Sequence, residues 1–202
     1  MSQRFRWWLC ALAMTVSFAS AQVIEFESGG LKYQTLSKNG VTVMYAFLPI
    51  EVRDYSIVQA TVSNGSGAFC TVRPEDFAFR FSGGRELRAS SAQSVVTELM
   101  DRAGRNDVIR LVSTYEVSLY GLSRYQSTSG YEKRRQAALA EVTSTRLKAA
   151  AAASAIAFVE MKLKPGESTD GALFFPNRGA PFAGGALRVL AGAVCLRCVR
   201  PP

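Results

Sequence analysis

No histidine occurs anywhere in the 202 residues. That absence removes Ser-His-Asp and Cys-His nucleophile activation, histidine general bases and every histidine-containing metal site, because each needs an imidazole. Cysteine is scarce, at four residues, and a structural zinc site needs four nitrogen or sulfur ligands gathered in one place. A second long apolar run is missing as well. The stretch 149–159 has 11 residues, mostly alanine and including Ser154, against the roughly 20 that a spanning helix needs. Neither a glycine-rich phosphate loop nor an aromatic RNA-binding signature is present, so nucleic acid is not an expected partner. No cofactor and no metal are expected.

What is present begins with MSQRFRWWLCALAMTVSFASAQ. Arg4 and Arg6 precede a 12-residue apolar stretch from Trp7 to Phe18, and Ala19-Ser20-Ala21 supplies small residues after it. This is the three-part layout of a secretory signal peptide, over residues 1–21, and the apolar stretch is too short for an anchor. The expectation is export to the periplasm or beyond, with cleavage near Ala21, a mature chain from Gln22 and no transmembrane span in it. Cys10 sits inside the apolar region and leaves with the leader. Losing Arg4 and Arg6 takes the balance from 24 basic against 16 acidic residues, net +8, to 22 against 16, net +6. The remaining length suits one domain with a real core.

From Gln22 to about Leu87 the pattern is that of strands. LKYQTLSK and VTVMYAFLP flank Asn39-Gly40, a pair that tolerates the positive φ angles of a tight hairpin turn. Val41, Val43, Tyr45 and Phe47 alternate to one face, with Thr42 and Met44 on the other. Val58, Ala60 and Val62 repeat the pattern, and Phe77, Phe79 and Phe81 follow a turn at Arg73-Pro74-Glu75-Asp76. After the middle of the chain, FVEMKL, GALFFPN and LRVLAGAVCLRC read as strands again. Lys164-Pro165-Gly166-Glu167 has proline and glycine where a type II turn needs them, and a Gly/Pro-rich loop runs from Asn177 to Gly185.

The interval 90–155 has another character. Ser90-Ser91-Ala92-Gln93 has capping-box spacing and opens a helix to about Ala103, with Gly104 as its stop. Asn106 can cap a second segment, in which Val108, Leu111, Val112, Tyr115, Leu119 and Leu122 recur at helical spacing. Ile109, Leu111, Tyr115, Val117 and Leu119 also fit strand alternation. Ser129-Gly130-Tyr131-Glu132 is a further capping box ahead of an alanine-rich run without proline or internal glycine.

Strands at this spacing without βαβ alternation predict a mainly β protein with a helical insertion. The expected form is an antiparallel β-sandwich of about seven to nine strands, with two or three helices inserted over 90–155 in a single domain 22–202. The succession YSIVQATVSNGS, VRPEDFAFRF and LKPGESTDGALFFP resembles the immunoglobulin-like sandwiches of small exported bacterial proteins of unknown function. The resemblance covers the strand-bearing parts and not the insertion. It implies fold and no catalytic residue.

Three groups of residues are candidate sites. Cys195-Leu196-Arg197-Cys198 follows strand-like text and precedes two prolines, so no helix starts there to lower a thiol pKa. With Cys70 the mature chain holds three cysteines. Joining Cys70 to Cys195 or Cys198 would close a loop of more than 120 residues, worth about 4 kcal/mol in the chain-entropy description. That favours the long bridge over a Cys195–Cys198 link, and a wholly reduced set is the third state. Lys133, Arg134, Arg135, Arg146 and Lys148 form either a face for an anionic envelope component or an acidic protein, or an ordinary solvated helix surface. Tyr115, Tyr120, Tyr125 and Tyr131 form either a partner surface or the packing of the insertion onto its sandwich. Asn64-Gly65-Ser66 matches a glycosylation sequon, although Asn-Gly is better explained as a turn. The expected function is a non-enzymatic exported binding or assembly module with the insertion as its partner surface. The alternative is a hydrolase or lyase working through carboxylates or tyrosine on envelope polymers.

Overall fold

The structure is a computed structural model, and it describes residues 22–102, 105–121, 130–140, 151, 154–178, 180, 182–191 and 194–197. The expected signal peptide, Tyr125, Arg146, Lys148 and Cys198 lie outside the described residues, as do the side chains of Tyr120 and Cys195.

Eleven strands form among them. A five-stranded sheet takes the order β1 (Gln22–Ser28), β2 (Leu31–Lys38), β3 (Val41–Val52), β4 (Tyr55–Asn64) and β9 (Ser168–Pro176), every pair antiparallel. A four-stranded sheet takes the order β11 (Val194–Arg197), β10 (Gly185–Ala191), β6 (Phe77–Phe81) and β7 (Glu86–Arg88). β5 (Cys70–Val72) and β8 (Met161–Leu163) make a separate antiparallel pair. The protein is thus mainly antiparallel β, with more strands than expected because LRVLAGAVCLRC folds as the hairpin β10–β11 and short β5 and β7 fill gaps between turns. β8 is also shorter than FVEMKL suggested.

Both faces of the five-stranded sheet are buried over β2, β3, β4 and β9, while the edge strand β1 is exposed. Val43, Tyr45, Val58, Ala60, Val62, Leu173 and Phe175 point to a core shared with Phe77, Phe79, Leu187 and Val189 of the second sheet and with Cys70, Val72 and Leu163. The alternate residues, among them Tyr33, Ala46, Leu48, Tyr55, Ile57 and Phe174, meet the helices α1 (Ala92–Arg102), α2 (Arg105–Gly121) and α3 (Tyr131–Ala140). Strands before and after the helical interval therefore share one interior, and the helices form a third layer over the outer face of the long sheet. Burial on both sides makes β4 and β9 nearly continuous runs of buried residues.

Local sequence explains the joints. Asn39 and Gly40 take φ of 52° and 79°, as the tight hairpin turn requires. Gly166 has φ of 81° in the expected type II turn. Gly171 on β9 serves a different need: a Cβ there would lie 2.5 Å from the Phe158 Cα. The chain returning from the helices crosses at this point, where the Phe158 N–H donates to the Ala172 carbonyl at 2.8 Å.

The helix starts differ from expectation. Ser91, not Ser90, caps α1: its Oγ accepts the Ser94 N–H at 3.2 Å, while the Ser90 N–H is taken by the Phe174 carbonyl at 2.8 Å. Asn106 lies inside α2 rather than capping it. Leu111, Tyr115 and Ser118 are buried at helical spacing while Ile109 and Val117 are exposed, which resolves the ambiguous segment as helix.

Candidate functional site

Between α2, α3 and the long sheet lies a buried polar seam. Its anchor is Asp170 on β9, 2% exposed. Its Oδ2 accepts the Tyr115 hydroxyl at 2.8 Å, and its two oxygens meet the Tyr131 N–H at the first turn of α3 at 3.3 and 3.4 Å. Carboxylate charge at a helix N-terminus is favourable because the first N–H groups have no partner within the helix. Burial, then the Asp170 charge and its hydrogen bond, pushes the Tyr115 hydroxyl well above its ordinary pKa. Arg134 donates to the Ala155 carbonyl at 3.0 Å and the Asp170 carbonyl at 2.7 Å. Tyr131 donates to Glu116 at 2.6 Å, and Arg135 pairs with the same carboxylate at 3.5 Å.

The seam continues along β2 and β4. Tyr33 spans Ala46 to reach Gln59, since Tyr33, Ala46 and Gln59 occupy one cross-strand row and alanine leaves room for the ring. The Tyr33 hydroxyl oxygen lies 3.0 Å from the Ser118 carbonyl and 3.2 Å from the Gln59 Oε1, and it has a single proton to give. Among the described residues, Gln59 Nε2 is the one buried side-chain nitrogen or oxygen left without a partner. With the amide turned, Nε2 donates to the Tyr33 oxygen and the hydroxyl proton goes to Ser118, which satisfies both groups. Burial pushes the Tyr33 hydroxyl up to about 12, and burial with the hydrogen bond and charge of Glu98 does the same to Tyr55.

These contacts decide the fate of several expected site residues. Tyr115 and Tyr131 are not a surface, being 0% and 1% exposed. They pack the insertion onto the sandwich because the Tyr115 hydroxyl and the Tyr131 N–H both meet Asp170 of β9, while the Tyr131 hydroxyl ties α3 to Glu116 of α2. Arg134 is likewise turned to internal partners, Arg135 pairs with Glu116 while its side chain stays 42% exposed, and Lys133 is exposed. Cys70 is a free thiol, buried in the core between the sheets, and burial pushes its pKa up. The long bridge is not formed to Cys195. That residue stands opposite Leu190 on the row of Ala186 and Arg188, the alternate row to the Leu187 and Val189 that pack with Cys70. Asn64 of the sequon is 0% exposed and its Nδ2 donates to the Ala68 and Leu163 carbonyls at 2.8 and 3.1 Å, so it is a turn residue.

A groove of about 1330 Å³ opens between the β1–β2 hairpin and the β6 and β10 ends of the second sheet. Phe47, Phe81 and Phe182 line it. Phe182, from the Gly/Pro-rich loop, is the hub of its floor, with ring centroids 4.4 Å from Phe79, 5.0 Å from Phe47 and 5.3 Å from Phe175. The Arg85 guanidinium lies 4.1 Å over Phe81 and donates to Asn177 at 3.0 Å. One wall carries a polar ladder across three strands: Tyr45 donates to Gln34, and Gln34 donates to Glu25 at 2.6 Å. Glu27 and Lys32 complete the rim on that side, with Arg80 and Arg188 on the other. Sequence reasoning missed this groove. Its signal was a lone phenylalanine in a glycine-rich loop, and nothing local said where that ring would land.

No cluster of three or more potential metal ligands occurs among the described residues, and no described helix is long and apolar enough to cross a membrane. No family model matches the chain, and no curated protein matches it. Among solved structures, the crystal structure of the yjhA protein from Bacillus subtilis aligns over 82% of this chain and 76% of that one, at 11% identity and a TM-score of 0.32. A likeness so low carries no argument about fold or activity.

Proposed function

We propose that the protein is a non-enzymatic binding module, exported under the direction of residues 1–21, that holds its partner in the groove between the two sheets. The groove itself carries the reading: an aromatic floor with a rim of both charge signs is the general form of a site that grips an apolar body and orients it by a few polar groups. The inward side of the helical layer is spent on the long sheet, so the groove replaces the insertion as the contact surface. An immunoglobulin-like kinship is the finer structural reading. Two antiparallel sheets over one core support it, whereas consecutive pairing of β1 to β4 is a meander rather than a Greek key.

The hydrolase alternative has less support. Glu25 and Glu27 both line the groove, but they stand two places apart on one strand and share one wall, so they do not flank a bond from opposite sides. Tyr33, Tyr55 and Tyr115 have hydroxyls pushed upward, away from the range where a proton is exchanged near neutrality.

Titration with the neutral apolar dye Nile red tests the groove. Wild-type protein brightens the dye, and Ala183→Trp, which fills the groove from an exposed lining position, abolishes the response with the circular dichroism unchanged. An undiminished response in this variant would remove the groove from consideration.

A further inference from the structure

The outer face of the second sheet is a field of arginines. Phe77 and Phe79 of β6 point into the core, so Ala78 and Arg80 belong to the opposite face. Directly opposed residues in antiparallel strands share a face, and Ala78 stands opposite both Arg88 of β7 and Arg188 of β10. Arg80 stands opposite Glu86, and the register position of Arg197 on β11 extends the Arg88–Ala78–Arg188 row by one strand. The described strands of this sheet carry one carboxylate, Glu86, which lies 3.2 Å from Arg188 and 4.0 Å from Arg88. The Arg88 side chain stays 63% exposed.

We infer that this face binds a linear phosphate-bearing polymer. Every cation in the described strands of this sheet is arginine, whose planar fork matches anionic oxygens in pairs. The face already holds a carboxylate of its own, so a ligand competing for these forks must bring its charges more densely along the chain than polymers of carboxylates do, and a phosphate chain, charged at every phosphorus, meets that condition. A membrane surface is disfavoured because the exposed large apolar residues among the described ones, Ile24, Phe26, Phe69, Ile109 and Val117, all lie on other elements, leaving nothing to enter a bilayer. Of the two exposed aromatic rings, Phe69 lies outside this sheet and Phe26 already stacks on Tyr33 at 5.2 Å, so bases find no free pair of ring faces beside the arginines. Repeated phosphates along a chain suit cations set out in rows, since each contact releases a counterion and the gains accumulate.

Full-length protein is titrated with linear inorganic polyphosphate at several salt concentrations. Arg80→Ser/Arg88→Ser is compared with Lys162→Ser/Lys164→Ser, which removes the same charge from β8 and the turn after it, outside the four-stranded sheet. The expected result is at least a tenfold loss, with a shallower salt dependence, in the arginine variant and little change in the lysine variant. Equal losses in the two, or no binding by wild type, would overturn the inference. Polyglutamate, single-stranded DNA or vesicles of anionic phospholipid held as tightly as polyphosphate would also overturn it. Near-ultraviolet circular dichroism checks that each variant is folded. Arg80 also stands on the groove rim, so Arg80→Ser/Arg88→Ser is titrated with Nile red as well: an unchanged dye response beside weakened polyphosphate binding supports a surface distinct from the groove, and loss of both would overturn it.

Discussion

The Tyr115 hydroxyl on α2 donates to the Asp170 carboxylate on β9 at 2.8 Å, across 55 residues of chain. This contact, with the Tyr131 N–H at the same carboxylate, ties two helices of the insertion to the strand that completes the long sheet. Asp170→Ala leaves a buried hydroxyl and a buried N–H without their acceptor, and is expected to cost about 3 kcal/mol in urea unfolding. Asp170→Asn keeps one carbonyl acceptor and is expected to lose less. Limited proteolysis should cut first in the helical interval of the alanine variant.

Alkaline unfolding follows from the same seam. Tyr33 and Tyr55 have pKa values pushed up from 10.0 to about 12 in the folded protein. Below pH 10 both states hold these protons and stability is intact. Between about 10 and 12 the unfolded chain releases protons that the folded one keeps, so stability falls with rising pH. Replacing both tyrosines by phenylalanine should flatten the decline in urea midpoints measured across that window.

Cys70 is buried and its thiol is pushed away from the thiolate. Iodoacetamide near neutral pH should leave it unmodified in the folded protein and label it quickly in denaturant, as peptide mass mapping would show. Rapid labelling of Cys70 in native protein would contradict its place in the core.

Two packing variants probe the crossing point and the aromatic hub. Gly171→Ala puts a methyl carbon 2.5 Å from the Phe158 backbone, and overpacking of this kind costs about 1–3 kcal/mol. Phe182→Ala empties the centre of the groove floor and should cost about 3–5 kcal/mol. Thermal and urea midpoints of both variants check these values.

Period-two alternation was enough to assign the faces of β3, β4 and β6, because each of those strands turns one residue set to the core between the sheets. The Asn39-Gly40 and Pro165-Gly166 turns were legible for an equally local reason, since few residue pairs adopt their φ angles. The helical layer was legible as helix but not as cover. Only tertiary pairing shows that Tyr115 and Tyr131 face Asp170, a single acid in a strand reading STDGALFFP. The same holds for Arg134, whose donors go to backbone carbonyls that no side-chain pattern marks. The groove was hidden because its floor gathers rings from four separate stretches of chain, and the arginine face because its members become neighbours only through strand register.

β9 reaches the long sheet late. Ser168 pairs with Ser63, so during synthesis the β1–β4 meander leaves the ribosome with the β4 edge bare and waits for the whole helical interval before its last neighbour arrives. A bare edge flanked by apolar side chains invites pairing with other nascent chains. Distant pairing of this sort also slows the search for the native state. Newly made protein therefore passes through a window in which a holding chaperone, or low expression temperature, governs its yield.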